Sequence, residues 1–553
     1  MKRKWIFGIL AVVMVFSIFS ISQGADKFYY GAYKVCASLP YESPKLGELK
    51  DSLRFNIVEA WNLNQDNIHF LANNSLQALA YEPHDTNSPS NWSVISHYTL
   101  WEAEGFPGSN WNLRYNGGTL VDDASASGGK AMAFAPPDLP HLIQWGPTYH
   151  QEREYRPGQL IEYKAEFRLQ YTLYIPRGAM APRPPGAPVC SIMVVDRGTI
   201  LKAKTLYPSD LGVGYKKKIL DYTVPEWNQI EFQIYWFGTG VLYVDYVKVY
   251  DNYRWQLIEQ EGHPVAEQIK AYVNQSWVHT TLPDGDTVVY RWSMRDQPGY
   301  IDCYEPYAYI DSLLKSNLPR IPGIQATCYF GDTNWIHDYL IRSEPVQYMI
   351  DAYPLGEEDT TESNIQQSLN WLTDNYNYNK RKAESLDKDF WVVVQAHLYA
   401  EVKKDSCKSD QGEIEYDDTI YCTGLKDPGP NEIRVLSFLP LCYGADAVMY
   451  YAIPLGINYF EDPPILTTGL YDAIVDTPTA KWEEIKNFTG PRVEKLGPII
   501  KDLTWLGACP DDSVGSFILR NGEPSYIYNI VPRNHHPAYV EVGFFRDSLS
   551  GDD

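Results

Sequence analysis

Cysteine is scarce in this chain of 553 residues: there are 8, none in a CxxC pair, so neither a dense disulfide framework nor a cysteine-rich zinc module is encoded. The 11 histidines are scattered rather than clustered, which removes the usual signature of metal catalysis. Beyond residue 21 no apolar run approaches the length of a membrane span. No Lys/Arg-rich face relieves a net charge of -23, so the concentrated basic surface that binds nucleic-acid phosphates is missing. A glycine-rich phosphate loop, a G-x-S-x-G elbow and an HExxH helix are also absent, excluding the corresponding nucleotide, serine-hydrolase and zinc-protease chemistries.

What is present begins with an address. Lys2, Arg3 and Lys4 precede an apolar stretch from Trp5 to Ile21, and Ser22-Gln23-Gly24 offers small residues for cleavage before Ala25. Residues 1–24 therefore read as a signal peptide and the mature chain as secreted, extracellular or periplasmic; a retained anchor is the alternative. The remaining length suggests two to four domains, and a hydrophobic content of 44% supports real cores. The 43 tyrosines and 16 tryptophans suit stacking on sugar rings as well as β-sheet cores. Cys407 and Cys422 bracket a polar loop and could bridge, whereas Cys303, Cys328 and Cys442 lie in apolar contexts expected of buried thiols.

Residues 25–94 alternate strands and helices: "FYYGAY" (28–33), "NIVEAW" (56–61) and "LQALAYEP" (76–83) read as parallel strands. Between 95 and 252 the pattern changes to short period-two strands such as "NQIEFQIYWF" and "VLYVDYVKVY", broken by Gly, Pro and Asn, which is a β-sandwich pattern. From 253 to 507 the helix–strand rhythm resumes with "TVVYRWSM", "GIQATCYF", "VQYMIDAYP", "FWVVVQAHL" and "AVMYYAIP". Three strands before the insertion and five after it predict an α/β fold, a (β/α)8 TIM barrel with a β-sandwich inserted after the third strand. Residues 508–553 return to β character and read as the start of a C-terminal β-domain, cut in its middle.

"LWEAEGF" and "DDASASGGKAMAF" (within 100–134) resemble the opening of galactose-binding-like, jelly-roll carbohydrate-binding modules. That resemblance implies a structural Ca2+ held by Glu102 and Glu104, with Asp245 of "YVDYVKVY" as the late acid. Residues two apart on a strand share a face and hard carboxylates suit calcium, so the chemistry agrees; a solvated acidic strand face is the plainer alternative. The resemblance also implies glycan binding.

The strand ends of the barrel collect Glu59, Trp61, Glu82, Asp296, Gln297, Tyr329, Asp351, Tyr353, Gln395, His397 and Tyr451, a mixture of acids, amides and rings suited to a carbohydrate cleft. "YRWSMRDQP", "MIDAYPL", "WVVVQAHL" and "NEIRVLSFLPLCYGADAVMYY" resemble segments of barrel glycoside hydrolases. In those barrels the fourth strand ends in Asp-Glu-Pro, its glutamate the acid/base, and the seventh carries a glutamate nucleophile. Here Gln297 and Gln395 stand at those two places, and an amide cannot protonate a leaving oxygen. Three routes remain: Asp296 and Asp351 form the carboxyl pair; Glu59, Glu82 or Glu305 supplies a displaced carboxyl; or the fold binds glycans without cutting them. The sequence favours the first, a polysaccharide-directed hydrolase needing no catalytic cofactor, with Asp296, Asp351 and Glu59 as catalytic carboxyls. A polysaccharide or oligosaccharide is the expected partner, nucleic acid is not, and the oligomeric state is left open.

Overall fold

The computed structural model describes residues 27–33, 44–60, 63–81, 96–104, 118–135, 140–156, 158–173, 186–238, 240–254, 264–293, 300–315, 324–325, 333–345, 347–356, 362–402, 421–451, 457–458, 465–472, 477–510 and 541–547. Eight strands form one parallel sheet in the order Val289–Ser293, Gln77–Tyr81, Ile57–Ala60, Tyr29–Tyr33, Ala447–Tyr451, Asp389–Gln395, Gln347–Ala352, Ile324–Gln325. Their apolar runs, such as Trp391 to Val394, are buried on both faces, as parallel strands covered by helices require.

The expected closed (β/α)8 barrel is not formed. Among the described residues no ladder joins Val289–Ser293 to Ile324–Gln325, so the sheet is an open half-barrel, and most of the described strands lie in antiparallel sheets instead. Counting strands does not fix closure, because closure needs a stagger shared by every neighbouring pair. The strand Ile324–Gln325 has two residues and pairs only with Gln347–Ala352. The half-barrel curls strongly nonetheless. Across the unpaired side, Arg291 Nη1 donates to Gln347 Oε1 at 2.8 Å and Nη2 to Asp389 at 2.9 Å. Tyr290 stacks on Trp391 with centroids 6.0 Å apart.

Between Gln77–Tyr81 and its sheet neighbour Val289–Ser293 the chain builds an antiparallel β-sandwich. One sheet contains Lys216–Tyr222, Tyr163–Thr172, Val241–Asp251, Lys130–Phe134 and Thr119–Asp122, with Tyr98–Glu102 also on Val241–Asp251. The other runs Thr199–Leu206, Cys190–Asp196, Ile230–Trp236, His141–Tyr149. Strict alternation in Ile230–Trp236 sends Ile230, Phe232, Ile234 and Trp236 into the core, where they meet Trp101, Trp145 and Phe167.

Helices flank the parallel sheet. Pro430–Cys442 begins with Pro at its first turn and Glu432 accepting from the Gly429 amide at 2.7 Å. It ends at Gly444, whose φ of 64° suits glycine and whose missing side chain admits Trp505. Trp505 lies on Leu503–Pro510, which pairs antiparallel with Glu541–Asp547 and donates its indole N–H to Cys442 O at 3.0 Å. A helix at Thr333–Arg342, not anticipated from the sequence, packs where the sandwich meets the half-barrel. Among the described residues no helix is long and apolar enough to cross a membrane. The signal segment, Cys328 and Cys407 lie outside the described residues.

Candidate functional site

Period-two alternation decides what the concave face of the half-barrel presents. Tyr29, Ile57, Leu79, Met349, Trp391, Val393, Ala447 and Met449 form a separate apolar core within the curl. Continuing each strand by two or four residues on the same face reaches Tyr33, Glu59, Asp351, Tyr353, Gln395 and Tyr451. The apolar plug thus fills the curl, and a polar, aromatic rim lies at the C-terminal ends of the strands.

Glu59 is fully buried and accepts from Ser293 Oγ at 2.9 Å, joining strands two places apart in the sheet. Asp351 is 5% exposed. At the same end of the sheet the rings close up: His397 and Tyr451 have centroids 4.5 Å apart, Tyr353 and His397 4.8 Å, and Tyr33 and Tyr451 6.0 Å. His397 Nδ1 lies 3.0 Å from Tyr451 O, which accepts when Nδ1 carries the proton. Tyr353 and Tyr451 remain partly exposed, as a stacking surface requires.

Gln395 behaves differently from the sequence expectation of a cleft residue. Its Oε1 accepts from Leu355 N at 2.9 Å, and its Nε2 donates to Leu355 O at 3.0 Å and Lys426 O at 2.9 Å. The amide ties two loops together, which a glutamate could not do, because a carboxylate offers no proton to two carbonyl oxygens. We expect Gln395→Glu to lose about 1–3 kcal/mol of stability or more, read by urea unfolding, without gaining hydrolysis.

The structure brings Tyr353, His397 and Tyr451 into ring contact, and places Glu59, Asp351 and Gln395 at the same, C-terminal end of the parallel sheet. Trp61, Glu82, Asp296, Gln297 and Tyr329 lie outside the described residues. Glu305 is elsewhere: it sits on the helix Tyr304–Lys315 and pairs with Arg342 at the seam to the sandwich. Two rim residues were missed, Tyr33 and Ser293. Tyr33 was legible, since it shares a face with Tyr29 across Gly31; Ser293 was not, because only the fold brings it to Glu59. A cleft lined by Lys27, Lys50, Arg54 and Glu494 opens near the N-terminal ends of the strands, away from this rim.

In the sandwich, Glu102, Glu104 and Asp245 all face the loop 123–130. Ser127 Oγ donates to Glu102 at 2.6 Å, the Lys130 amide to Glu104 at 2.8 Å, and the Ser127 amide to Asp245 at 3.0 Å. Gly128, with φ 65°, leaves room here, since a Cβ would stand 2.7 Å from Glu104 Oε1. Burial pushes the Asp245 carboxyl up to about 6, against the pull of the Ser127 amide and Arg168, with Glu102 adding repulsion. Glu104 Oε2 is buried without a hydrogen-bond partner. The Arg168 guanidinium supplies a positive charge to Asp245, while Glu102 and Glu104 are held by the loop through Ser127 and Lys130.

No family model matches the chain, and no curated protein matches it. Solved structures are similar over about a quarter of its length. The C-terminal family 6 carbohydrate-binding module of LamC, a laminarinase from Zobellia galactanivorans, shares 10% identity over 28% of this chain and 98% of that one, with a TM-score of 0.19. A family 35 module from Clostridium thermocellum shares 16% over 27% and 97%, with a TM-score of 0.19. An exo-beta-1,3-galactanase from Phanerochaete chrysosporium shares 14% over 28% of this chain and 29% of its own, with a TM-score of 0.18.

Proposed function

We propose that this chain is a secreted, glycan-directed protein that seats a sugar chain on the rim of the half-barrel and hydrolyses it there. The observation that supports the reading is a shared end of one parallel sheet: Glu59 and Asp351 lie at the C-terminal ends of its strands, as do Tyr33, Tyr451 and the Tyr353–His397–Tyr451 ring cluster. Rings hold pyranose faces, and two carboxyls are what glycoside hydrolysis needs: one protonates the leaving oxygen, the other attacks or activates water. Asp351 takes the base or nucleophile role. Asp296, three residues beyond the strand Val289–Ser293, or Glu59, held by Ser293, supplies the acid. A polysaccharide panel tests this by following reducing-sugar release and retention on insoluble glycan together. Retention without release from any substrate favours a second reading, binding without cleavage, for which the structural use of the Gln395 amide speaks.

The sandwich supports this role as a glycan-binding module steadied by calcium at Glu102, Glu104 and Asp245. We expect Ca2+ to raise the unfolding free energy by about 2.7 kcal/mol at a hundredfold excess over its Kd, and EGTA to reverse the gain. Glu104→Gln removes most of that response; an unaltered melting temperature with and without Ca2+ in the parent chain refutes the site.

A further inference from the structure

A second cluster lies where the sandwich meets the half-barrel, far in character from the oxygen-only site. His97 precedes the strand Tyr98–Glu102, Glu152 follows His141–Tyr149, and Asp302 and Cys303 form a 3-10 turn before the helix Tyr304–Lys315. His97 and Asp302 are fully buried and Cys303 is 1% exposed. One imidazole nitrogen of His97, one oxygen of Glu152 and the Cys303 sulfur lie within 4.8 Å of one another. Cys303 Sγ is 3.5 Å from His97 Nδ1, Asp302 Oδ2 is 3.3 Å from the same nitrogen, and Glu152 Oε2 is 3.6 Å from Nε2.

The Cys303–His97 contact at Nδ1 accounts for only part of this packing. His97 Nε2 and both Asp302 oxygens are buried without a well-formed hydrogen bond. Leaving such groups unsatisfied costs about 1–3 kcal/mol each, more where charge is involved. The surroundings are nevertheless rigid. The His97 amide donates to Asp251 at 2.8 Å, Tyr163 Oη donates to Glu152 O at 2.8 Å, and the rings of Tyr155 and Tyr163 each pack 5.8 Å from the imidazole.

We infer that His97, Glu152 and Cys303 form a binding site for a zinc-class divalent metal that staples the sandwich to the half-barrel. Sulfur and nitrogen donors select a borderline-soft ion over calcium or magnesium. Metal–ligand bonds of about 2.0–2.3 Å place neighbouring donors roughly 3.3–3.8 Å apart, so an inward shift of about 1 Å closes the set. Asp302 acts on the ring rather than on the metal: its carboxylate, 3.3 Å from Nδ1, orients the imidazole, a carboxylate–histidine–metal arrangement. Glu152 binding through both oxygens brings the donor atoms to four.

The test uses the full chain, refolded with Co2+ as the probe and then with Zn2+. One equivalent of metal, a thiolate-to-cobalt charge-transfer band and tetrahedral visible bands are the expected result, with zinc displacing the cobalt. Cys303→Ser abolishes the charge-transfer band, and Asp302→Asn weakens metal affinity about 10–100-fold. Glu102→Gln, at the separate acidic cluster, leaves the cobalt spectrum unchanged. Because Cys303→Ser alters a buried position, the parent chain itself decides: no stoichiometric metal and no charge-transfer band overturns the proposal, as does a band that survives in folded Cys303→Ser.

Discussion

Asp351→Asn lowers reducing-sugar release from the responsive polysaccharide by about 10²–10⁴-fold, the range that one positioned acid or base contributes. The substitution keeps the shape of a side chain that is 5% exposed and removes only its charge and basicity. Retention on insoluble glycan therefore changes little, because Tyr353 and Tyr451 still offer their faces. The split between release and retention is the informative readout. Release that persists in a folded Asp351→Asn chain moves the chemistry to other carboxyls, while loss of both signals marks a structural role for Asp351.

The second large effect lies at the seam. Glu305→Ala destabilises the chain by about 3–5 kcal/mol, because it strands the Arg342 guanidinium in a buried position. Arg342 comes from the helix Thr333–Arg342, donates to Glu305 and to Thr99 Oγ1 at 2.7 Å, and lies 5.7 Å from the Trp101 ring. Burial raises the Glu305 carboxyl above its usual range despite the opposing pull of Arg342, so the pair carries a desolvation cost that only partnership offsets. Urea unfolding of Glu305→Ala, Arg342→Met and the combined Glu305→Ala/Arg342→Met chain measures this. The double replacement recovers most of the loss, since removing both charges leaves neither one stranded. Losses that simply add would show that the two residues do not act as a pair.

How far the sequence reached is clearest in single strands. "YMIDAYP" announces a buried strand whose alternation puts Met349, Asp351 and Tyr353 on one face, and the fold keeps that order. "NQIEFQIYWF" likewise declares a half-buried antiparallel strand. Gln395 was legible as a departure from a carboxylate, but its work in holding Leu355 and Lys426 was not, because both partners belong to loops distant in the chain. The closed barrel was an extrapolation from the count of strands. The two-residue strand Ile324–Gln325 ends the sheet instead, with no ladder to Val289–Ser293 among the described residues.

Alternation and apolar runs are local properties, written within five to ten residues, and they determined the strands, the faces and which acids and rings reach the strand ends. Partners across hundreds of residues have no local signature. Ser293 meets Glu59 at a separation of 234 positions, and Cys303 meets His97 at 206. Sheet closure, the seam and the buried His97 cluster were decided by tertiary packing alone, because only the folded chain sets which side chains share a space that water cannot enter.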